Sequence, residues 1–400
     1  MILRHASLFS QLLVLFDRPG FYRIVREHRA ERFAKHFSSW DHFVSMLFCQ
    51  LAQAKSLREI CGGLACTLGK LKHLGFHGSP NKSTLSYANA HRPWQMFEAL
   101  FYQLLGLCRQ AAPGKKFRFR NKLLSLDSTL IHLSLTLFPW ADYTRTKGAV
   151  KLHLLLDHDG YLPVFAQLTP ARLHDVRIAR ALNFPPGSIL VVDRGYVSYA
   201  LFQRWCEEGV YFVTRMKVDV NYRILKANPV PPGVIWQDNL IELLDVAGRK
   251  CPSVLRQVVV YNPVRNENIV LLTNHLGFDA ETISAIYRDR WQIEVFFKAL
   301  KQNLRIKTFV GTSENALRIQ IWTALIAILL VKYLQFQSRL GWSLSNLVAL
   351  LRWNLFSYRD LWEWINDPFG TPPLGPQPEQ LVLDLSGVGQ QNYSQPPNRP

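Results

Sequence analysis

The sequence predicts an α/β chain: a mixed sheet flanked by helices, interrupted by a β-rich insertion and preceded by an all-helical N-terminal region. Three observations carry that expectation. Apolar residues recur every three or four positions up to about residue 115, and from about 122 the pattern changes to short apolar runs between turn residues. A helical stretch, 287–301, then gathers acid, cation and phenol on one face.

Residues 1–115 hold patterns such as Trp40-Asp-His-Phe-Val-Ser-Met-Leu-Phe-Cys-Gln-Leu51 and Trp94-Gln-Met-Phe-Glu-Ala-Leu-Phe-Tyr-Gln-Leu-Leu105, both helical in period. Ser56 and Glu59 have the spacing of a capping box. Residues 79–92 read as a turn and a short polar helix, either a recognition helix presenting Lys82 to a DNA groove or a solvated connector. The basic, Pro-Gly punctuated stretch 111–120 marks a boundary.

A first core segment, 116–217, follows. Its strands are expected at 122–129, 150–156 and 162–169, the last two joined by an Asp-Gly hairpin turn at 157–160. A helix from His174, with Asp175 as its cap, precedes the apolar strand 188–193, a helix at 198–208 and a strand at 210–214. Three strands, helix, strand, helix, strand is the order of an RNase H-like sheet. Residues 218–275 alternate apolar runs with turn residues and form the β-rich insertion; 276–345 return to the core; 346–400 are a helical region and a Pro, Gly, Gln and Asn-rich tail expected to be disordered from about 367. The run from Ile319 to Leu334 is broken by Gln320 and Lys332 and reads as a buried core helix, not a membrane span.

Lys and Arg outnumber Asp and Glu by 47 to 29, a net charge of +18, which favours a polyanionic partner, nucleic acid before an anionic membrane. The N-terminal apolar run 12–16 is too short for a signal peptide, and the six cysteines form no Cys-x-x-Cys pair, so reduced thiols in a cytosol are expected. Cys61, Cys66, His73 and His77 include zinc-capable types, but their spacing is far shorter than that of a zinc finger.

Asp127 and Asp193 each close an apolar, strand-like run, and Glu294 faces out from the later helix. Singly, each suits a turn or a solvated face. Together they make a different case, because the first and fourth strands of an RNase H-like sheet lie side by side and parallel. Clustered carboxylates repel one another unless cations neutralise them, and hard oxygen ligands suit two Mg²⁺ or Mn²⁺ ions serving phosphoryl transfer. Tyr287, Arg290, Glu294 and Lys301 fall within an arc of roughly 60° on one continuous helix. Arg290 and Lys301 would there hold phosphates.

Tyr287, Arg290, Glu294 and Lys301 have two, three and six residues between them, and this spacing resembles the signature of a large group of bacterial insertion-sequence transposases with an Asp-Asp-Glu triad. Leu126-Asp-Ser-Thr129 and Val192-Asp-Arg-Gly-Tyr196 resemble the first-acid and second-acid motifs of that group, and Phe212-Val-Thr-Arg215 and 304–315 are also similar. Phe37-Ser-Ser-Trp-Asp-His-Phe43 and His91-Arg-Pro-Trp94 resemble its helical DNA-binding region. The resemblance implies metal binding by Asp127, Asp193 and Glu294, and phosphate contacts at the transposon end from Arg290 and Lys301, assisted by Tyr287. It also implies a flipped base stacked on an aromatic side chain, for which Trp291 and Trp236 are candidates. Lys147, Lys151 and His153 would line the DNA track. Double-stranded DNA, as transposon end and as target, is the implied partner, with a homodimer or larger synaptic complex and a cytoplasmic, nucleoid-associated location. A structure-specific nuclease and a DNA-binding repressor are the alternatives; the first does not account for the Tyr-Arg-Glu-Lys spacing, nor the second for three retained acids.

Overall fold

This computed structural model describes residues 6–373 apart from 33, 68–73, 76–78, 115–116, 145–146, 231, 305 and 307–308, and for 142–144 and 147 the backbone alone. His73 and His77, and most of the expected disordered tail, lie outside the described residues.

Six helices come first: α1 (Leu8–Leu13), α2 (Arg18–Glu27), α3 (Ser39–Leu51), α4 (Leu57–Ala65), α5 (Lys82–His91) and α6 (Gln95–Ala111). Their starts are chemically marked. Ser38 caps α3 by accepting from the Asp41 amide while Asp41 accepts from the Ser38 amide, a reciprocal box. At α4 the Ser56 hydroxyl accepts from the Glu59 amide, but Glu59 accepts from the Lys55 amide, one residue short of closing the box expected there.

The sheet begins with β1 (Leu123–Leu133), β2 (Asp142–Thr144), β3 (Lys147–Asp157) and β4 (Leu162–Pro170), all adjacent strands antiparallel. The β3–β4 turn uses Gly160 at φ +77°, where a side chain would be strained, so the Asp-Gly signal is a true hairpin. Helix α7 (Asp175–Ala181), β5 (Ile189–Val192), α8 (Tyr199–Glu207) and β6 (Tyr211–Arg215) follow, with β5 parallel to both β1 and β6. The order β4-β3-β1-β5-β6 is the RNase H-like one read from the sequence.

The 218–275 stretch prolongs this sheet rather than leaving it. β7 (Tyr222–Ala227), β8 (Ile235–Leu243), α9 (Asp245–Lys250), β9 (Leu255–Asn262) and β10 (Glu267–Thr273) are joined through β10, which pairs antiparallel with β6. The strand order runs on as β6-β10-β9-β8-β7, with β7 exposed along its whole length at the edge and its register to β8 shifted once.

Alternation then decides the two faces. Leu124 and Leu126 point one way, onto Ala179 of α7 and Leu201 and Phe202 of α8; Leu123 points the other way, onto Ile283 and Ile286 of α10 (Ala280–Asp289). Helices α11 (Trp291–Asn303) and α12 (Glu314–Gln337) come next, and α13 (Leu344–Asn354) and α14 (Leu361–Trp364) close the fold.

Among the described residues, α12 is the one helix long and apolar enough to cross a membrane, so the sequence reading underrated its length. It is instead the central pillar: 89% of its most apolar window is buried against protein. One core joins it to α1–α6 on one side and to Leu152, Leu154 and Leu156 of β3 on the other, so the N-terminal helices are welded to the sheet. Lys332 is tolerated within it because its ammonium donates to the Gly160 carbonyl at 2.9 Å; burial still lowers its pKa to about 8. Leu325→Ala, at a site with no exposed surface, is expected to cost roughly 2–5 kcal/mol, read from the guanidinium unfolding midpoint.

Candidate active site

The site is built where parallel pairing stops. β1 and β5 are in register through Leu126 opposite Val192, and the next residue on each chain is Asp127 and Asp193. β1 itself does not end at Asp127, as the sequence suggested; it continues to Leu133 against β3, and only its parallel partner ends. The Asp193 carboxylate accepts the Gly195 amide at 2.9 Å and caps the single 3-10 turn Arg194–Tyr196, which turns the chain away from the sheet. Asp127 accepts the Ser128 amide at 2.7 Å.

The third acid comes from the helical segment, whose hydrogen-bond ladder is interrupted at one residue that keeps helical dihedrals. It breaks at Arg290, which ends α10 and begins α11. Around the break the hydrogen bonds are of the tighter three-residue kind, Arg290 amide to Tyr287 carbonyl and Ile293 amide to Arg290 carbonyl. From this position the Arg290 side chain reaches the sheet. Its guanidinium lies 2.5 Å from Glu294 and 3.5 Å from Asp127, so one cation ties the helical acid to the strand acid. Tyr287 lies between two guanidiniums, 5.7 Å from Arg290 and 5.8 Å from Arg215 at the end of β6. Lys301 donates to the Thr129 hydroxyl at 2.5 Å and the Leu130 carbonyl at 3.0 Å, fastening α11 to β1.

Residues 118–330 match the family described as Transposase DDE domain, more than half of the chain. This chain belongs to that family. It is a DNA transposase, a polynucleotidyl transferase. Residues 4–77 match a domain of unknown function, DUF4372. Relatives agree: y4zB of Sinorhizobium fredii, named as a transposase, is 31% identical over 71% of this chain and 80% of its own. A Geobacillus stearothermophilus protein named for the transposase of insertion sequence element IS5377 is 29% identical over 64% of this chain and 68% of its own. A structure of the piggyBac transposase synaptic complex with hairpin DNA is similar at a TM-score of 0.43 and 9% identity, covering 88% of this chain and 80% of that one.

The family generally depends on a divalent metal, and the acids of this transposase can be tested against that need. Burial raises the Asp127 pKa to about 7; the Ser128 amide opposes the rise, Asp193 and Glu294 add to it, and Arg290 opposes it. A mostly buried carboxylate whose negative charge is poorly solvated is a fit ligand for a hard cation. As the side chains stand, no three acids among the described residues are grouped closely enough to hold an ion; Arg290 is the cation between Asp127 and Glu294.

The other expected contacts are distributed unevenly. Lys82 is exposed at the start of α5 and Trp291 is exposed at the start of α11. Trp236, on β8, is half exposed and stacked on Tyr261 at 4.7 Å. The side chain of Lys147 lies outside the described residues. His153 does not line a DNA track: it has no exposed surface, bonds Thr169 at 2.8 Å, and burial lowers its pKa to about 4. Lys151 turns inward too, donating to the Leu173 carbonyl and the Asp175 carboxylate.

Sequence reading missed this inward cluster. Asp175 does not cap α7; its carboxylate accepts from the Ser128 hydroxyl at 2.8 Å and pairs with Lys151 at 3.0 Å, bracing β1 one residue beyond Asp127. Tyr196 is buried beside it, its phenol pushed up by burial, Asp175 and Asp127. Ser128 and Tyr196 stood inside the two acid motifs, so the signal was present.

An Asp whose folded pKa exceeds its unfolded one favours folding most below the unfolded value of 3.8, and that advantage is lost as pH rises towards 7. Asp127→Asn in chelator should therefore stabilise the transposase at pH 8, by roughly 1–4 kcal/mol, with the gap closing below pH 4 in denaturant melts.

Proposed function

We propose that this transposase binds the ends of its own insertion sequence, cuts there and joins the freed 3′-hydroxyl to target DNA, with Asp127, Asp193 and Glu294 as its catalytic acids. What supports the reading is one arrangement: two carboxylates that each follow the last paired residue of the parallel β1–β5 ladder, with Arg290 linking the first of them to Glu294. Two Mg²⁺ or Mn²⁺ ions held by these acids would activate a water or hydroxyl oxygen and stabilise the departing one.

The chain's own residues do the rest. Arg290, freed from bridging the acids, holds a phosphate of the transposon end, and Tyr287 keeps the guanidinium oriented through its ring. Arg215, which also lies near that ring, extends the same cationic wall. Lys301 keeps α11 against β1 and reaches phosphate only by giving up Thr129. Trp291 and Trp236 are the exposed rings on which an extruded base stacks if the second strand is cut through a hairpin. Lys82 and α5, with the rest of 1–115, engage the end sequence, and Lys147 borders the DNA path. A homodimer or larger synaptic complex associated with the nucleoid is the matching assembly, and the Tyr287, Arg290, Glu294 and Lys301 spacing supports membership of the Tyr-Arg-Glu-Lys group.

The test uses purified protein and a duplex carrying the inverted repeats that flank its gene. Asp127→Asn, Asp193→Asn and Glu294→Gln should each lower cleavage at least about 10³-fold with end binding retained, and Ca²⁺ should support binding without cleavage. Any of the three cutting at the parental rate would remove it from the set. End binding, read by filter retention, should weaken steeply between 50 and 200 mM salt, as expected of about six or more phosphate contacts.

A further inference from the structure

A second chain of polar side chains runs beneath the site, and nothing in the catalytic reading uses it. Ser125 precedes Asp127 by two residues and so shares its face of β1. Its hydroxyl lies 2.7 Å from His158 Nε2, and His158 Nδ1 lies 2.7 Å from the carboxylate of Asp289. Asp289 is the last residue of α10, next to Arg290 at the helix break, and also accepts from the Tyr161 hydroxyl at 3.2 Å. All three residues are buried, and the His158 amide donates to the Leu123 carbonyl of β1.

The arrangement has the order of a Ser-His-Asp hydrolase, but Ser125 has no exposed surface through which to meet a substrate. A mechanical role remains. With the proton on Nδ1 directed at the carboxylate, Nε2 accepts the Ser125 hydroxyl, and the three groups become one continuous strut. The strut spans the distance that matters: one end is fixed two residues from Asp127, the other one residue from Arg290.

We propose that Ser125, His158 and Asp289 are positioning residues that pin the α10–α11 break to β1, so that Arg290 and Glu294 meet Asp127 in register. The proposal rests on the reading of Asp127, Asp193 and Glu294 as catalytic acids. Glu294 lies one helical turn beyond the break, so a small rotation there carries its carboxylate away from Asp127. The buried bonds resist that rotation because an opened strut strips a buried imidazole of its side-chain partners and the Asp289 carboxylate of its 2.7 Å bond.

The experiment uses the full chain and the same inverted-repeat duplex, with Ser125→Ala, His158→Ala, Asp289→Ala and the double variant His158→Ala/Asp289→Ala. Single-turnover cleavage is expected to fall about 10- to 100-fold while the end-binding Kd stays within about twofold, the signature of misplaced groups rather than lost contacts. The double variant should be no slower than the slower single, because the strut fails as a unit. Amide hydrogen exchange over 286–296, measured without metal or DNA, should quicken in each variant. Additive losses, parental exchange over 286–296, or end binding lost in step with cleavage would overturn the proposal. If His158→Ala or Asp289→Ala does not fold, Ser125→Ala, which removes a single oxygen, decides by its own rate, Kd and exchange. Asp127→Asn is run alongside: if it cuts, the catalytic reading falls and the positioning proposal with it. If it is dead while Ser125→Ala and Asp289→Ala cut at the parental rate, the strut alone is refuted.

Discussion

Everything in this site depends on where the parallel pairing of β1 and β5 stops. β1 and β5 stay in register until the residue before each acid, so geometry forces Asp127 and Asp193 together before any cation arrives. A buried carboxylate is costly to ionise, and the raised pKa of Asp127 records chiefly that burial, with a smaller addition from Asp193 and Glu294. The surrounding structure answers with positive charge on one side and rigid support on the other. Arg290 supplies the charge; the Ser128–Asp175–Lys151 cluster braces the strand on its opposite face.

The helix break follows from the same need. Within this segment Arg290 reaches both Glu294 and Asp127 while Ile286 and Ile293 remain buried. Dividing the segment at Arg290 lets α10 pack on the strands around Val191 and Val213 and α11 pack against α12 and α13. The same residue thus sits at the interruption of the ladder and joins the helical acid to the first one. That double duty fits its depth, since only 14% of its side chain is exposed.

Much of this was legible in the sequence because period and order are local. The sheet order, the Asp-Gly hairpin and the Arg290–Glu294 pair all followed from spacing. What did not follow was set by contacts between distant segments. Nothing near Arg290 is a Gly or Pro, so no residue announced the break. Asp175 looked like a helix cap because a cap needs only its neighbours, whereas its real partners are on β1 and β3. Lys151 and His153 looked like part of a basic surface, but alternation along β3 turns them inward, onto Thr169 and Asp175. The insertion read correctly as β-rich, yet its fusion to β6 depends on a register that no single strand encodes.

A ten-stranded sheet must also stop somewhere, and β7 is where it stops. A flat outer strand offers a free row of amides and carbonyls to any passing chain, the route by which such proteins stick together. Here Arg223 and Lys226 put cationic heads on that margin, the slipped register near Ile224 disturbs its flatness, and Pro229 and Pro232 follow closely with no amide hydrogen to offer. The protein can therefore carry a broad platform for its chemistry without inviting neighbouring copies to zip onto it.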